Sequence, residues 1–176
     1  MDQHKDTITT WYDDYSKSIF QYIYKIIQNA YQAEDLTQDT FINAYDYLCK
    51  NEANVLYPKT FLYRTGHNLT MDFLRKHKPI QYLKSQYINQ SNCEPNIETI
   101  VEIKEESKKI FEELAKLKLP YRQVLILRKV EQFSTRETAE ILNWSESKVK
   151  STLQRALLKL EDHLIKGGII NESISQ

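Results

Sequence analysis

Apolar residues recur along this chain at spacings of three and four, and this period restricts the possible fold more than any other feature. In residues 8–29 the stripe consists of Trp11, Tyr15, Ile19, Tyr22, Ile23 and Ile26. Residues 33–50 repeat it with Leu36, Thr40, Phe41, Ala44 and Leu48. This spacing places side chains on one face of an α-helix. Because only three glycines and four prolines occur in 176 residues, turns and strand ends are few, and the sequence predicts an all-α fold.

A third helix is predicted in residues 58–78. Pro58 suits its first turn, where the missing N–H has no helical partner to lose. Gly66 lies in the middle of this segment, where glycine costs about 1 kcal/mol relative to alanine. We therefore expect a break in the helix or a close packing contact at Gly66.

Residues 79–102 differ from their neighbours in composition, because Asn, Gln and Ser replace the periodic apolar residues. This composition is typical of a linker. Periodicity resumes at Ile103, and Pro120 opens a further helix. The chain is therefore predicted to contain two small helical domains, residues 1–78 and 103–166, joined by a flexible linker and followed by a tail, residues 167–176.

Several classes of protein are disfavoured by composition. The apolar runs are too short for a membrane span, and Asp2, Gln3 and His4 do not resemble the start of a secretory signal, so we expect a cytoplasmic protein without membrane insertion. Cys49 and Cys93 lie far apart without metal-ligand spacing, and both are interpreted as unpaired thiols. No phosphate loop or nucleophile elbow occurs, so we predict neither enzymatic activity nor a cofactor.

Charge is distributed unevenly although the formal net charge is zero. Residues 31–52 are acidic, with Glu34, Asp35, Asp39, Asp46 and Glu52 against Lys50 alone. Residues 59–78 are basic, with Lys59, Arg64, Arg75, Lys76 and Lys78 against Asp72 alone. This pattern indicates that two neighbouring segments contact partners of opposite charge.

Residues 134–160 have the pattern of a helix-turn-helix. Ser134 followed by Glu137 forms a capping box, so one helix should begin at Thr135 and end near Leu142. Asn143 tolerates a left-handed turn conformation, and Ser145 offers a second N-cap. The buried stripe of the second helix is predicted to be Val149, Leu153, Ala156, Leu157, Leu160 and Leu164.

The opposite face of this second helix is polar. It carries Ser147, Lys148, Lys150, Ser151, Gln154 and Arg155. Gln and Arg hydrogen-bond base edges and Lys binds phosphates, so the face is suited to DNA. A solvent-exposed face of a small helical bundle is the alternative that this pattern leaves open.

Three motifs resemble the sigma-70 family of RNA polymerase sigma factors, especially the extracytoplasmic-function (ECF) group. LPYRQVLILRKVEQFSTRETAEILNWSESKVKSTLQRALLKL is similar to region 4, the reader of the promoter −35 element. AEDLTQDTFINAYDYL resembles region 2.2, and PKTFLYRTGHNLTMDFLRK resembles regions 2.3 and 2.4. The three motifs stand in the family's order and cover most of the chain.

The resemblance implies a partner for each part of the chain. The region 2.2 helix would dock on the coiled coil of the polymerase β′ clamp, through Asp35, Leu36, Gln38, Asp39, Phe41 and Asn43. Region 4 would meet the β flap. The linker, with Glu94, Glu98 and Glu102, would pass through the polymerase towards the RNA exit channel. An anti-sigma factor is the implied inhibitor, and it could hold the protein at the membrane.

The basic third segment would open the −10 element and hold a flipped base, with Asn68 the first choice for the base pocket. The implied −10 residues are Lys59, Tyr63, Arg64, His67, Asn68, Asp72, Arg75 and Lys76. The face of region 4 listed above would read the −35 element. Family members often carry glycine at the position of Asn143 and arginine at that of Thr152, so the −35 preference of this chain is predicted to be its own.

Two interpretations follow from these motifs. One is an alternative sigma factor that binds core polymerase and reads both promoter elements. The other is a helix-turn-helix regulator whose N-terminal half only senses or dimerises. Residues 31–78 distinguish them, because a regulator needs neither an acidic docking helix nor a DNA-melting segment. A metal site at Asp35 and Asp39 is disfavoured, because no third ligand accompanies the pair.

Overall fold

A computed structural model describes residues 2–51, 54–84 and 105–170. The chain forms two units, with the division between residues 100 and 101. Seven α-helices, a π-helical turn and no β-strand occur in these residues, which confirms the all-α prediction. No helix among them is long and apolar enough to cross a membrane. The predicted linker beyond residue 84 lies outside the described residues, and so do residues 171–176 of the tail. This part of the linker includes Cys93, Glu94, Glu98 and Glu102.

The first unit consists of three helices, α1 (Asp2–Ile27), α2 (Ala30–Asn51) and α3 (Pro58–Lys84). The predicted stripes form its core, which includes Trp11, Ile19, Tyr22, Ile23, Ile26, Ala33, Leu36, Phe41, Ala44, Leu48 and Leu62. Gln28 has a φ of 58° between α1 and α2, and the Asn29 side chain accepts a hydrogen bond from the Gln32 N–H at 3.0 Å. A left-handed residue and an N-cap therefore separate two helices that are almost continuous in sequence.

Gly66 lies where α3 packs closely on α1 and α2. A Cβ atom at this position would lie 3.1 Å from Thr40 Oγ1 and 3.6 Å from side-chain atoms of Ile19 and Ile23. The expected close contact is thus present, and α3 continues through it without a break. The missing side chain lets α3 pack directly on α1 and α2.

Helix α3 also extends six residues beyond its predicted end at residue 78, through Pro79 to Lys84. The change in composition suggested a boundary at the proline. Residues 80–84, however, include Leu83 and Lys84, which have high helix propensity and continue the helix after Pro79.

The second unit contains α4 (Glu105–Lys116), α5 (Leu119–Leu125), a π-helical turn (Ile126–Val130), α6 (Thr135–Leu142) and α7 (Glu146–Lys166). Pro120 stands at the start of α5, as predicted. The π turn was not predicted; in it the Glu131 N–H donates to the Ile126 carbonyl at 2.9 Å. The core of the second unit contains Leu114, Leu117, Val124, Leu125, Ile126, Leu127, Phe133, Ala139, Ile141, Leu142, Val149 and Ala156.

Candidate nucleic-acid and polymerase interfaces

Caps and a left-handed turn fix the helix-turn-helix of the second unit. Ser134 Oγ accepts from the Glu137 N–H at 3.1 Å, and Glu137 Oε2 accepts from the Ser134 N–H at 2.8 Å, so the predicted capping box is confirmed. Asn143 has φ 54° and ψ 47°, the left-handed conformation that the sequence indicated. Ser145 Oγ accepts from the Lys148 N–H at 3.2 Å and begins α7.

Helix α7 has a buried side and an exposed side. Val149, Thr152 and Ala156 are buried against the unit. The six residues predicted to read the −35 element are all exposed: Ser147, Lys148, Lys150, Ser151, Gln154 and Arg155. Thr152 faces the core, which accounts for a small side chain there. Leu157 was predicted to be buried but is 39% exposed.

The exposed face of α3 is polar and largely basic. Six of the eight residues predicted to meet the −10 element are exposed: Lys59, Arg64, Asn68, Asp72, Arg75 and Lys76. Arg64, Asn68 and Asp72 follow one another at intervals of four, which places them on one face of the helix. Arg75 Nη2 lies 2.9 Å from Asp72 Oδ1. This face therefore offers an amide and cations together.

Tyr63 and His67 do not belong to that face. Their exposed fractions are 0% and 5%. Tyr22 Oη and His67 Nδ1 are 2.9 Å apart, and the ring centroids of Tyr22 and Tyr63 are 5.2 Å apart. Burial lowers the pKa of His67 from 6.5 to about 4, so the ring is neutral at pH 7. In this conformation both side chains pack between helices, and their contact with DNA stays a prediction.

Helix α2 presents the predicted docking surface. Asp35, Gln38, Asp39 and Asn43 are exposed at helical spacing, and Asn43 Nδ2 donates to the Asp39 carbonyl at 2.8 Å. Leu36 and Phe41 were predicted to join them but are buried, and Phe41 packs edge-on against Tyr12 at 5.0 Å between centroids. Both residues belong to the core, because they occupy the inner stripe of α2.

Sequence reasoning missed three exposed apolar residues next to these faces. Ile42, which adjoins Asn43 on α2, is 58% exposed. Leu56 and Tyr57 are 76% and 74% exposed immediately before α3. The available signal was the presence of large apolar residues in a short polar connection before Pro58. A contiguous apolar patch with a polar rim is typical of binding surfaces, and Leu56 and Tyr57 are adjacent in sequence.

No group of three His, Cys, Asp or Glu side chains that could hold a metal occurs in residues 2–51, 54–84 and 105–170. Asp35 and Asp39 are thus a pair of exposed carboxylates without a third ligand in this part of the chain. Cys49 is exposed and unpaired. The chemistry that these surfaces support is binding, through helix faces and not through a cavity.

Two family models match the chain. Sigma-70 region 2 matches residues 11–80, and Sigma-70, region 4 matches residues 107–160. The chain is 32% identical over 167 residues to the RNA polymerase sigma factor YlaC of Bacillus subtilis (strain 168), covering 93% of this chain and 95% of YlaC. It is 30% identical over 169 residues to the ECF RNA polymerase sigma factor SigW of the same organism, covering 91% of this chain and 90% of SigW.

A solved structure has the same fold. The sigma factor RpoE, in its co-crystal structure with the anti-sigma factor NepR from Bartonella quintana, aligns with a TM-score of 0.70 and 18% identity over 100% of both chains. The two family matches span most of the chain and fall on separate units. The chain therefore belongs to the sigma-70 family of RNA polymerase sigma factors and to its extracytoplasmic-function group.

Proposed function

We propose that this protein is an alternative sigma factor that binds core RNA polymerase and directs initiation at promoters with −35 and −10 elements. One observation carries the proposal. Both units match a sigma-70 region, and each presents an exposed polar helix face within its matched residues. A helix-turn-helix regulator would need only the second of these faces.

The exposed face of α7 supports reading of the −35 element. Gln154 and Arg155 carry side chains that form paired hydrogen bonds with base edges, and Lys148 and Lys150 supply positive charge for phosphates. Ser147 and Ser151 are short, so the helix can approach the floor of the major groove. The caps at Ser134 and Ser145 hold this face in a defined orientation within the second unit.

The exposed face of α3 supports binding of the opened −10 element. Arg64, Arg75 and Lys76 are suited to the phosphates of a single strand, and Asn68 lies among them with an amide that can hydrogen-bond a base. Tyr57 adds an exposed ring for stacking just before the helix. Unpairing a base costs a few kcal/mol, which such contacts offset.

The exposed face of α2 supports docking on the β′ clamp. Asp35 and Asp39 supply negative charge, Gln38 and Asn43 supply hydrogen bonds, and Ile42 supplies an apolar contact. The combination of an apolar side chain with a polar surround is typical of protein interfaces. The second unit would contact the β flap.

Regulation by an anti-sigma factor in the cytoplasm completes the proposal. RpoE, which has the same fold, is bound to the anti-sigma factor NepR in its crystal structure. In this chain Leu157 and Leu158 are exposed on α7, so apolar surface is available to such a partner. An anti-sigma factor anchored in a membrane would hold this protein at the membrane, and the sigma factor would then need no membrane helix.

Run-off transcription tests the proposal directly. Core polymerase plus this protein should initiate at discrete positions on templates selected from a genomic library, and core polymerase alone should not. If no template yields a discrete transcript above background, the protein is not a sigma factor.

Substitutions then separate the three faces. Lys150→Ala with Gln154→Ala and Arg155→Ala should weaken −35 use and spare core binding, whereas Asp39→Ala should weaken core binding. Lys108→Ala with Lys129→Ala removes the same charges from exposed positions outside α7, and Asp13→Ala removes an exposed carboxylate from α1. Equal loss in a variant and its control would contradict the assignment of that face.

A further inference from the structure

Trp144 occupies the turn of the helix-turn-helix, directly before the recognition helix α7. The backbone N–H of Trp144 donates to the Ala139 carbonyl at 2.9 Å, so the end of α6 fixes the backbone of Trp144. Its side chain is half-buried. A large aromatic ring is therefore held at the point where the two helices meet.

The face of this ring supports Lys148. Lys148 Nζ lies 4.2 Å from the centroid of the Trp144 ring, well within the range of a cation–π interaction. The Lys148 N–H donates to Ser145 Oγ at 3.2 Å, and its carbonyl accepts from Ser151 Oγ at 3.2 Å. Both the backbone and the ammonium group of Lys148 are thus held in place, although the residue is exposed.

Lys148 lies in the first turn of α7, the part of a recognition helix that meets DNA in helix-turn-helix proteins. A flexible lysine loses side-chain entropy when a phosphate immobilises it. The ring of Trp144 removes part of that loss in advance, because it restricts the ammonium before DNA binds. A preoriented cation at this place is suited to one phosphate at the edge of the major groove.

We infer that Trp144 is a positioning residue for promoter binding, which holds the Lys148 ammonium ready for a DNA phosphate. The inference rests on the proposed reading of the −35 element by α7. Trp144 itself forms no contact with a base in this scheme and acts only through Lys148.

A double-mutant cycle in the holoenzyme tests this. Duplexes that the wild-type holoenzyme selects from a random-sequence pool serve as the probe, and dissociation constants are measured over a series of salt concentrations. Lys148→Ala should reduce the slope of log K against log salt concentration by about one, the effect of one lost phosphate contact. Trp144→Leu keeps apolar bulk but removes the ring, and it should weaken binding about two- to fivefold.

The decisive comparison is between backgrounds. Trp144→Leu should have no further effect when Lys148 is already alanine, but its full effect when Lys150, an exposed lysine of the same helix, is alanine instead. Equal effects in both backgrounds, or no effect in the wild type, would mean that Trp144 is structural only and would overturn the inference.

One further variant keeps the result unambiguous. Trp144→Phe retains a ring with a weaker face and should fall between the wild type and Trp144→Leu; it also serves if the leucine variant fails to fold. A fall of Trp144→Phe to the level of Lys148→Ala would contradict the inference. If the wild-type holoenzyme selects no duplex, the proposed function fails; if it selects one and the cycle is additive, this inference alone fails.

Discussion

The two units present their polar faces by different physical means. In the second unit, a capping box at Ser134, a left-handed Asn143 and an N-cap at Ser145 determine where α6 begins, where it ends and where α7 begins. These interactions join residues within five positions of one another. The start of α7 and the turn that joins it to α6 are therefore set by local interactions.

In the first unit, long-range packing determines which residues of α3 reach the surface. Gly66 packs against Thr40 of α2, and His67 lies against Tyr22 of α1, forty-five positions away in sequence. Neighbours along α3 differ sharply, since His67 is buried and Asn68 is exposed. The difference between the units predicts that core changes will disturb the exposed polar face of α3 and that turn changes will disturb the exposed polar face of α7.

The largest effect is expected from filling the contact at Gly66. Gly66→Val introduces methyl groups where even a Cβ would lie 3.1 Å from Thr40 Oγ1, so the first unit should lose about 3 kcal/mol of unfolding free energy. The sequence contains two tryptophans, and Trp11 lies in the first unit while Trp144 lies in the second. Urea unfolding followed by Trp11 fluorescence, in a Trp144→Phe background, measures the loss.

The same contact yields a sharper comparison. Gly66→Ala should stabilise the first unit by about 1 kcal/mol only when Thr40 is also alanine, because removal of the hydroxyl makes room and alanine favours the helix. With Thr40 present, that gain should disappear. For Gly66→Val, the control is Lys76→Val, which introduces the same β-branched side chain at an exposed position of α3. An equal gain from Gly66→Ala in both backgrounds would show that the contact does not restrict α3.

The next effect is a dependence of stability on pH in the first unit. His67 has a folded pKa of about 4 against an ordinary value of 6.5, so only the unfolded chain takes up the proton between these values. Stability should therefore rise with pH across this window, by about 2 kcal/mol between pH 5 and pH 7.5. Trp11 fluorescence in urea at both pH values measures the change.

His67→Gln should remove this contribution, because glutamine does not titrate. His77→Gln, the same substitution closer to the surface of α3, is the matched control and should retain the wild-type slope. An unchanged slope in His67→Gln would mean that the folded protein binds the proton at His67 as readily as the unfolded chain does.

The contrast between the units also explains what the sequence could predict. Ser134, Asn143 and Ser145 were assigned correctly, because caps and left-handed turns depend on a few neighbouring residues. Apolar periodicity predicted the helices and most of both cores for the same reason. Thr135–Leu142 even has the bounds that the capping box indicated.

The burial of Tyr63 and His67 has a different cause. Family motifs placed both on the −10 face, whereas apolar periodicity had already placed Leu36 and Phe41, which the motifs assigned to docking, in the core stripe of α2; all four are buried. A motif gives the neighbours of a residue along the chain but not the helix packed against it. The π turn at Ile126–Val130 and the exposed Leu56 and Tyr57 likewise depend on tertiary packing, which periodicity does not report.

A smaller effect is expected at the turn of the second unit. Asn143 has a φ of 54° and an exposed side chain, so the backbone conformation is what a substitution there changes. Asn143→Val should cost about 1–2 kcal/mol, because a β-branched residue is strained in the left-handed region. Asn143→Gly should be neutral or slightly stabilising. Unfolding followed by Trp144 fluorescence in a Trp11→Phe background measures both; equal losses would indicate a role for the Asn143 side chain.

The smallest effect is expected at the capping box. Ser134→Ala removes the acceptor of the Glu137 N–H and should cost the second unit about 1 kcal/mol, whereas Ser134→Gly should cost only a few tenths. Ser151→Ala, another exposed serine of the same unit, is the control and should change stability by less. Since α6 begins at this cap and supports α7, Ser134→Ala should also weaken −35 binding while leaving the first unit's unfolding unchanged. A loss of stability in both units would show that the −35 face depends on more than local interactions, and the contrast drawn between the two units would then be wrong.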